Sequence, residues 1–84
     1  MRYKVRLRPS AERALGKLSR ELQGRILAKL DQLAENPHLP GSEKMHGEPG
    51  YRVRIGDYRV VYDILHEEIT VLVIRIGHRR EVYR

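Results

Sequence analysis

Gly56-Asp57 stands between two runs of alternating residues, and no other feature constrains the chain as tightly. Tyr51–Ile55 reads Tyr-Arg-Val-Arg-Ile, and Tyr58–Leu65 reads Tyr-Arg-Val-Val-Tyr-Asp-Ile-Leu. Alternation with period two marks a half-buried strand. A glycine-containing dipeptide between two such runs closes a two-residue hairpin. That loop length sets the register: Ile55 faces Tyr58, Arg54 faces Arg59, Val53 faces Val60 and Arg52 faces Val61. Residues directly opposite share a face of the sheet. Tyr51, Val53, Ile55, Tyr58, Val60 and Tyr62 therefore form one apolar face. Arg52, Arg54 and Arg59 form a cationic cluster on the other, with Asp63 on the same side.

Like charges placed directly opposite destabilise a strand pair. A bound anion would relieve the penalty that Arg54 and Arg59 impose on each other. A purely structural reading stands beside this one. Arginine is common on the wet face of a strand, its long stem covers apolar surface, and Asp63 offsets part of the charge.

The rest of the chain supplies what packs on the apolar face. Residues 2–7 alternate Arg2, Lys4, Arg6 against Tyr3, Val5, Leu7, a strand with one wet side. Pro9 stops it and Ser10 is the expected N-cap of a helix carrying Ala11, Ala14, Leu15 and Leu18. Ser19 caps a second helix whose stripe is Leu22, Ile26, Leu30 and Leu33, widened by Leu27 and Ala34. Asn36-Pro37 ends it. Two helices joined so closely form an antiparallel hairpin. Residues 36–50 hold three of the four prolines and three of the seven glycines. They read as a long connection carrying Lys44, His46 and Glu48. A third strand is expected over residues 68–76 after a His66-Glu67 turn, which places Tyr62 opposite Val71 and Arg59 opposite Ile74. Unbroken alternation then aims Arg75 at the helix side, at a fraying end. The order is β-α-α-β-β-β. This is an α+β domain spanning residues 1–84, with a helical hairpin on an antiparallel sheet of three to four strands.

Charge and composition narrow the partners. Seventeen Lys and Arg against eleven Asp and Glu give a net charge of +6 over 84 residues, which favours an anionic partner. The chain has no cysteine, so thiol nucleophiles, disulfides and thiolate metal sites are excluded. The four histidines are far apart, with no HxH or HxxH pair, and neither a metal site nor a cofactor is expected. The beginning of the chain alternates charge with apolar residues, unlike a secretory signal. The longest apolar run is too short to span a bilayer. A cytoplasmic protein without membrane association is the expectation.

What remains is basic and aromatic. His78, Arg79, Arg80, Glu81 and Tyr83 lie within six residues, after a strand adjacent to the arginine hairpin. Such a set suits cleavage of an RNA phosphodiester by its own 2′-hydroxyl. That reaction needs the hydroxyl deprotonated, the phosphorane stabilised and the leaving 5′-oxygen protonated. Fixed guanidiniums serve the second need, about 10²–10³ in rate for each well-placed donor. Tyr83 or His78 would move protons. The structural alternatives are a Tyr83 ring packed on the sheet and a His78 exposed in a turn. Lys44 and Arg80 are further candidate substrate-binding cations.

The segment Tyr-Arg-Val-Arg-Ile-Gly-Asp-Tyr-Arg-Val-Val-Tyr at 51–62 resembles the central hairpin of the RelE/ParE toxin superfamily. The tail Arg-Ile-Gly-His-Arg-Arg-Glu-Val-Tyr at 75–83 resembles that family's ending. The helical hairpin, the Asn36-Pro37 stop and the loop from Lys44 to Gly50 are similar as well, so the likeness covers essentially the whole chain. It is nearer the RelE branch, because the cationic and tyrosine positions are filled. The resemblance implies a RelE-like fold and a type II toxin that cuts mRNA in the ribosomal A site without a metal or cofactor. It also implies silencing by an acidic, RelB-like antitoxin, through which alone operator DNA is met. Arg52 and Arg54 match the two basic positions of the hairpin's first strand, often lysine in RelE. Arg59 matches the Arg of the Tyr-Arg dipeptide, Arg79 the Arg after the tail Gly, and Tyr83 the tail Tyr. Arginine at 52 and 54 stays protonated, which moves any base role onto Tyr83 or His78. His78 stands where RelE-like tails often carry lysine. The tail leaves no room for a C-terminal helix. The alternatives are a ParE-like inhibitor of DNA gyrase, and a catalytically inactive homologue that only binds an antitoxin.

Overall fold

The computed structural model describes residues 2–82. Five strands and two longer helices follow in the order β1 (Lys4–Leu7), α1 (Pro9–Gly16), α2 (Arg20–Glu35), β2 (Glu43–Lys44), β3 (Tyr51–Ile55), β4 (Tyr58–Leu65) and β5 (Thr70–His78). A single helical turn, α3 (Arg79–Val82), comes last. The expected order holds, and the connection after α2 contributes one strand more, the two-residue β2. Across the sheet the order is β1-β5-β4-β3-β2. β1 runs parallel to β5, and the other pairs are antiparallel.

Local chemistry sets the helix ends. α1 starts one residue before Ser10: Arg8 is the N-cap and Pro9 takes the first turn. Proline fits there because its missing N–H would have no helical partner. Ser19 caps α2 as expected, its hydroxyl accepting from the Leu22 N–H at 3.2 Å. Asn36 ends α2, and its side-chain oxygen accepts from the His38 N–H at 3.0 Å, an Asx turn that leads the chain away. The buried stripe of α2 is Ile26, Leu30, Leu33 and Ala34. Leu27, expected to widen it, lies outside it and is 48% exposed.

The stripe meets the apolar face of the sheet. Ile26, Leu30 and Leu33 pack with Val53, Ile55, Val60, Tyr62, Ile64, Val71, Val73 and Ile76 in one cluster. Each such side chain contributes about 1.5–3 kcal/mol by leaving water. Tyr62 is fully buried at the centre and donates its hydroxyl to the Pro37 carbonyl at 2.7 Å. This bond ties β4 to the turn that ends α2. Burial pushes the Tyr62 hydroxyl above the usual tyrosine range, against a smaller opposing effect of the Ser42 hydroxyl. No helix among the described residues is long and apolar enough to cross a membrane.

Candidate nucleic-acid interface

The hairpin has the register that Gly56-Asp57 dictates. Ile55 pairs with Tyr58, Arg54 with Arg59, Val53 with Val60 and Arg52 with Val61. Gly56 takes φ +59, as a primed turn requires at its first central residue. Arg52, Arg54 and Arg59 consequently share the face opposite the helical hairpin. With Gly41 and Glu43 they line a cleft of about 120 Å³.

The three arginines differ in how they are held. Arg59 is only 7% exposed, and its Nη1 donates to the carbonyls of Tyr58 at 3.1 Å and Gly56 at 3.4 Å. A guanidinium bonded to two backbone carbonyls is set in direction before any ligand arrives. Arg52 Nη2 donates to Glu43 Oε2 at 3.0 Å. Arg54 is exposed, directly across the ladder from Arg59.

Beyond the hairpin the expected register fails, and the failure matters. Residues His66–Glu68 form a 3₁₀ turn, and Ile69 follows with φ +49. Tyr62 therefore pairs with Val73, not Val71. A bulge then interrupts the β4–β5 ladder, so Val61 pairs with Arg75 and Arg59 with Gly77 rather than Ile74. The extra residue, Ile74, turns Arg75 over. Arg75 is exposed on the arginine side of the sheet, across Val61 from Arg52, and not on the helix side. Gly77 puts no side chain beside Arg59.

The bulge also governs the tail. His78 pairs with Tyr58 and packs its ring edge-on against it at 5.6 Å between centroids. Tyr58 lies on the helix side, so His78 is parted from the arginine cleft by the sheet. It lines a second, larger depression with Ser10, Arg13 and Ala14 of α1 and with Lys17 just beyond that helix. His78 Nδ1 accepts from the Arg80 N–H at 3.3 Å, and the Arg79 N–H donates to the Asp57 carbonyl at 2.9 Å. Residues Arg79–Val82 thus fold into one helical turn where none was expected. Arg79 and Arg80 are exposed. Tyr83 lies outside the described residues.

Lys44, expected to bind substrate, does not join the arginines. β2 pairs Glu43 with Arg52 and Lys44 with Tyr51. Directly opposite residues share a face, so the carboxylate joins the arginines and the lysine goes to the helix side. A two-residue strand inside a Pro/Gly-rich connection carries no periodicity from which this is readable. Among the described residues no three His, Asp or Glu side chains converge as metal ligands.

Comparison with known proteins agrees with this architecture. Residues 5–83 match the family described as ParE toxin of type II toxin-antitoxin system. The toxin RelG of Mycobacterium tuberculosis is 31% identical over 86 residues, covering 100% of this chain and 99% of RelG. The mRNA interferase toxin RelE of Escherichia coli is 34% identical over 80 residues, covering 86% of this chain and 83% of RelE. Among solved structures, the toxin–antitoxin complex RelBE2 of Mycobacterium tuberculosis contains a chain that superposes with a TM-score of 0.83 at 29% identity. The superposition covers 94% of this chain and 100% of that one. With the family matched over nearly its whole length and the same strand and helix order, the chain belongs to the RelE family of type II toxin–antitoxin toxins.

Proposed function

We propose that the protein is a ribosome-dependent endoribonuclease that cuts mRNA in the A site and is silenced by an acidic, RelB-like antitoxin. The observation that carries the reading is the cleft of Arg52, Arg54 and Arg59, with Arg59 held by two backbone carbonyls. Three guanidiniums on one sheet face suit the phosphates on either side of a scissile bond. Charge develops on the phosphorane oxygens as the 2′-oxygen attacks, and a guanidinium already fixed in place stabilises it without reorganising. Arg59 is the transition-state residue in this reading. Arg52 and Arg54 bind substrate, and the exposed Arg75 extends the phosphate track. The resemblance adds Arg79 and Tyr83 from the tail; the exposed Arg80 is an outlying contact to RNA, and Lys44, turned to the helix side, is left out of this reading. This reading leaves His78, whose ring packs on the helix side, out of the chemistry. The names of the Escherichia coli mRNA interferase and of the RelBE2 complex support the activity and the antitoxin respectively.

The test is 5′-end mapping of a defined mRNA on stalled ribosomes. A cut confined to the A-site codon and absent on naked RNA is expected, with loss of cutting in Arg59→Ala. No cut by folded protein would refute the reading. It would favour gyrase inhibition, the second reading, which the ParE description of the matched family supports. In that case supercoiling assays would respond while RNA stays intact.

A further inference from the structure

We propose that Arg75 forms a subsite of its own, which takes the phosphate next to the scissile one, so that the RNA runs across the strands of the sheet and not along them. The inference rests on the endoribonuclease reading above and deepens it.

The ladder lays the cations out in two rows on the open face. Arg52, Val61 and Arg75 stand abreast on β3, β4 and β5, and Arg54, Arg59 and Gly77 form the neighbouring row. Arg75 is outside the cleft that the other three arginines line, with Val61 between it and Arg52. Arg59 and Arg75 are diagonal neighbours, about 7–8 Å apart at their backbones. That step lets their long side chains hold adjacent phosphates of one extended strand.

Charge decides the direction. Along β4, the residues that follow Arg59 on the open face are Val61 and then Asp63, whose carboxylate repels phosphate. Along β5, Leu72 pairs with Asp63 and takes the corresponding place beyond Arg75. Across the strands, by contrast, Arg54 on β3, Arg59 on β4 and Arg75 on β5 are all cations. The way off the sheet past β5 is clear as well, because β1 pairs with Thr70–Val73 and ends before Arg75.

Arg75 is also the readier of these groups to receive a ligand. Arg52 is bonded to Glu43, and Arg59 to two backbone carbonyls. Arg75 is exposed and makes no hydrogen bond or ion pair among the described residues. Its guanidinium can fork onto a phosphate without giving up a protein partner, and its removal should leave the fold intact.

The experiment is single-turnover cleavage on stalled ribosomes by wild type, Arg75→Gln and Arg75→Lys, at increasing protein concentration and at several salt concentrations. Arg13→Gln, which removes the same charge from the helix side, is the control. R75Q should raise the half-saturating concentration by about 5–20-fold, between the values for an exposed ion pair and for a hydrogen bond to a charged group. Its saturating rate should equal that of wild type. The slope of log affinity against log salt should fall by about 0.7, as for one lost contact to a single strand. R75K should recover most of the affinity. The mRNA is then varied. Each phosphate flanking the scissile one is replaced in turn by a neutral methylphosphonate, with the 2′-hydroxyl beside it replaced by hydrogen, and the deoxy change alone serves as reference. One of the two replacements should weaken wild type by the same factor and leave R75Q unaffected. R75Q binding as tightly as wild type would overturn the proposal and leave the endoribonuclease reading intact. So would an R75Q whose loss adds to that from either methylphosphonate, since Arg75 would then meet another anion of the ribosome. An R75Q slow at saturation would also overturn it, placing Arg75 at the transition state. Wild type that cuts nothing would overturn the endoribonuclease reading, and the subsite with it.

Discussion

Arg54 should stabilise the reaction and destabilise the fold. It stands directly opposite Arg59 across β3–β4, and Arg59 is almost fully buried. For guanidiniums about 6 Å apart, Coulomb's law gives a repulsion of about 0.7 kcal/mol in bulk water and about 2.8 kcal/mol at an effective dielectric of 20. Arg54 is exposed, so the value sits toward the lower end, and salt at physiological strength roughly halves it. Arg54→Gln should therefore raise stability by about 0.5–1 kcal/mol, near the top of the range for cross-strand pairs. In a domain of this size that is a melting-temperature increase of roughly 2–8 °C. The assay is thermal and urea unfolding of both proteins at low and high salt. The advantage of Arg54→Gln should shrink as salt rises, because screening removes the repulsion in wild type. Inorganic phosphate should stabilise wild type more than the variant, by mass action on an anion site the variant has weakened. Cleavage should fall by about 10²–10³ in the same variant. A variant less stable than wild type, or an advantage indifferent to salt, would refute the reasoning and make Arg54 an ordinary surface residue.

Two further perturbations probe the scaffold. Tyr62→Phe removes the bond to the Pro37 carbonyl and leaves that buried acceptor unmade, at a cost of about 1–3 kcal/mol in the urea midpoint at neutral pH. Burial raises the folded-state value of the Tyr62 hydroxyl above the unfolded one of about 10. The folded state then keeps a proton that the unfolded state has lost. Tyr62's contribution is therefore whole below about pH 10 and declines as pH rises through the folded-state value. The phenylalanine variant should show a shallower alkaline decline, and equal slopes would contradict the assignment. Gly50 has φ +103, and a Cβ there would come within 2.7 Å of the Tyr62 carbonyl oxygen. Gly50→Ala should thus lower stability by about 1–3 kcal/mol, and an unchanged urea midpoint would show that the loop yields.

The sequence carries structure where a residue has one local option, and not where several serve equally. Gly56-Asp57 determines its hairpin because few residues accept positive φ at the first turn position, and the Arg54–Arg59 pair followed directly. Ser19 was readable as a cap, and Asn36-Pro37 as a stop, for the same reason. The next turn gave no such signal. Ile69 adopts the left-handed conformation, which a β-branched residue rarely takes. What holds it is a long-range contact, the Ile69 carbonyl accepting from the Lys4 N–H at 2.9 Å, which no local pattern displays. Ser10 lost the cap position to Arg8 because Pro9 is better suited to the first turn. Glu43 stayed hidden because two residues cannot display an alternation.

The bulge at Ile74 shows how such an irregularity builds the site. Along β5, Val71 and Val73 pair with Ile64 and Tyr62 on the helix side. Strict alternation would send Arg75 to that side too, burying an unpaired guanidinium among Tyr62, Val60 and the helices. Burying such a charge is costly unless it is paired. One extra residue resolves the conflict: Ile76 takes the helix-side place against Val60, and Arg75 passes to the cationic face. The same residue moves Gly77 beside Arg59 and His78 beside Tyr58. Charge concentration on one face and the removal of histidine from it are therefore a single event. Among the described residues, the cleft keeps three arginines that cannot accept a proton and one glutamate that can.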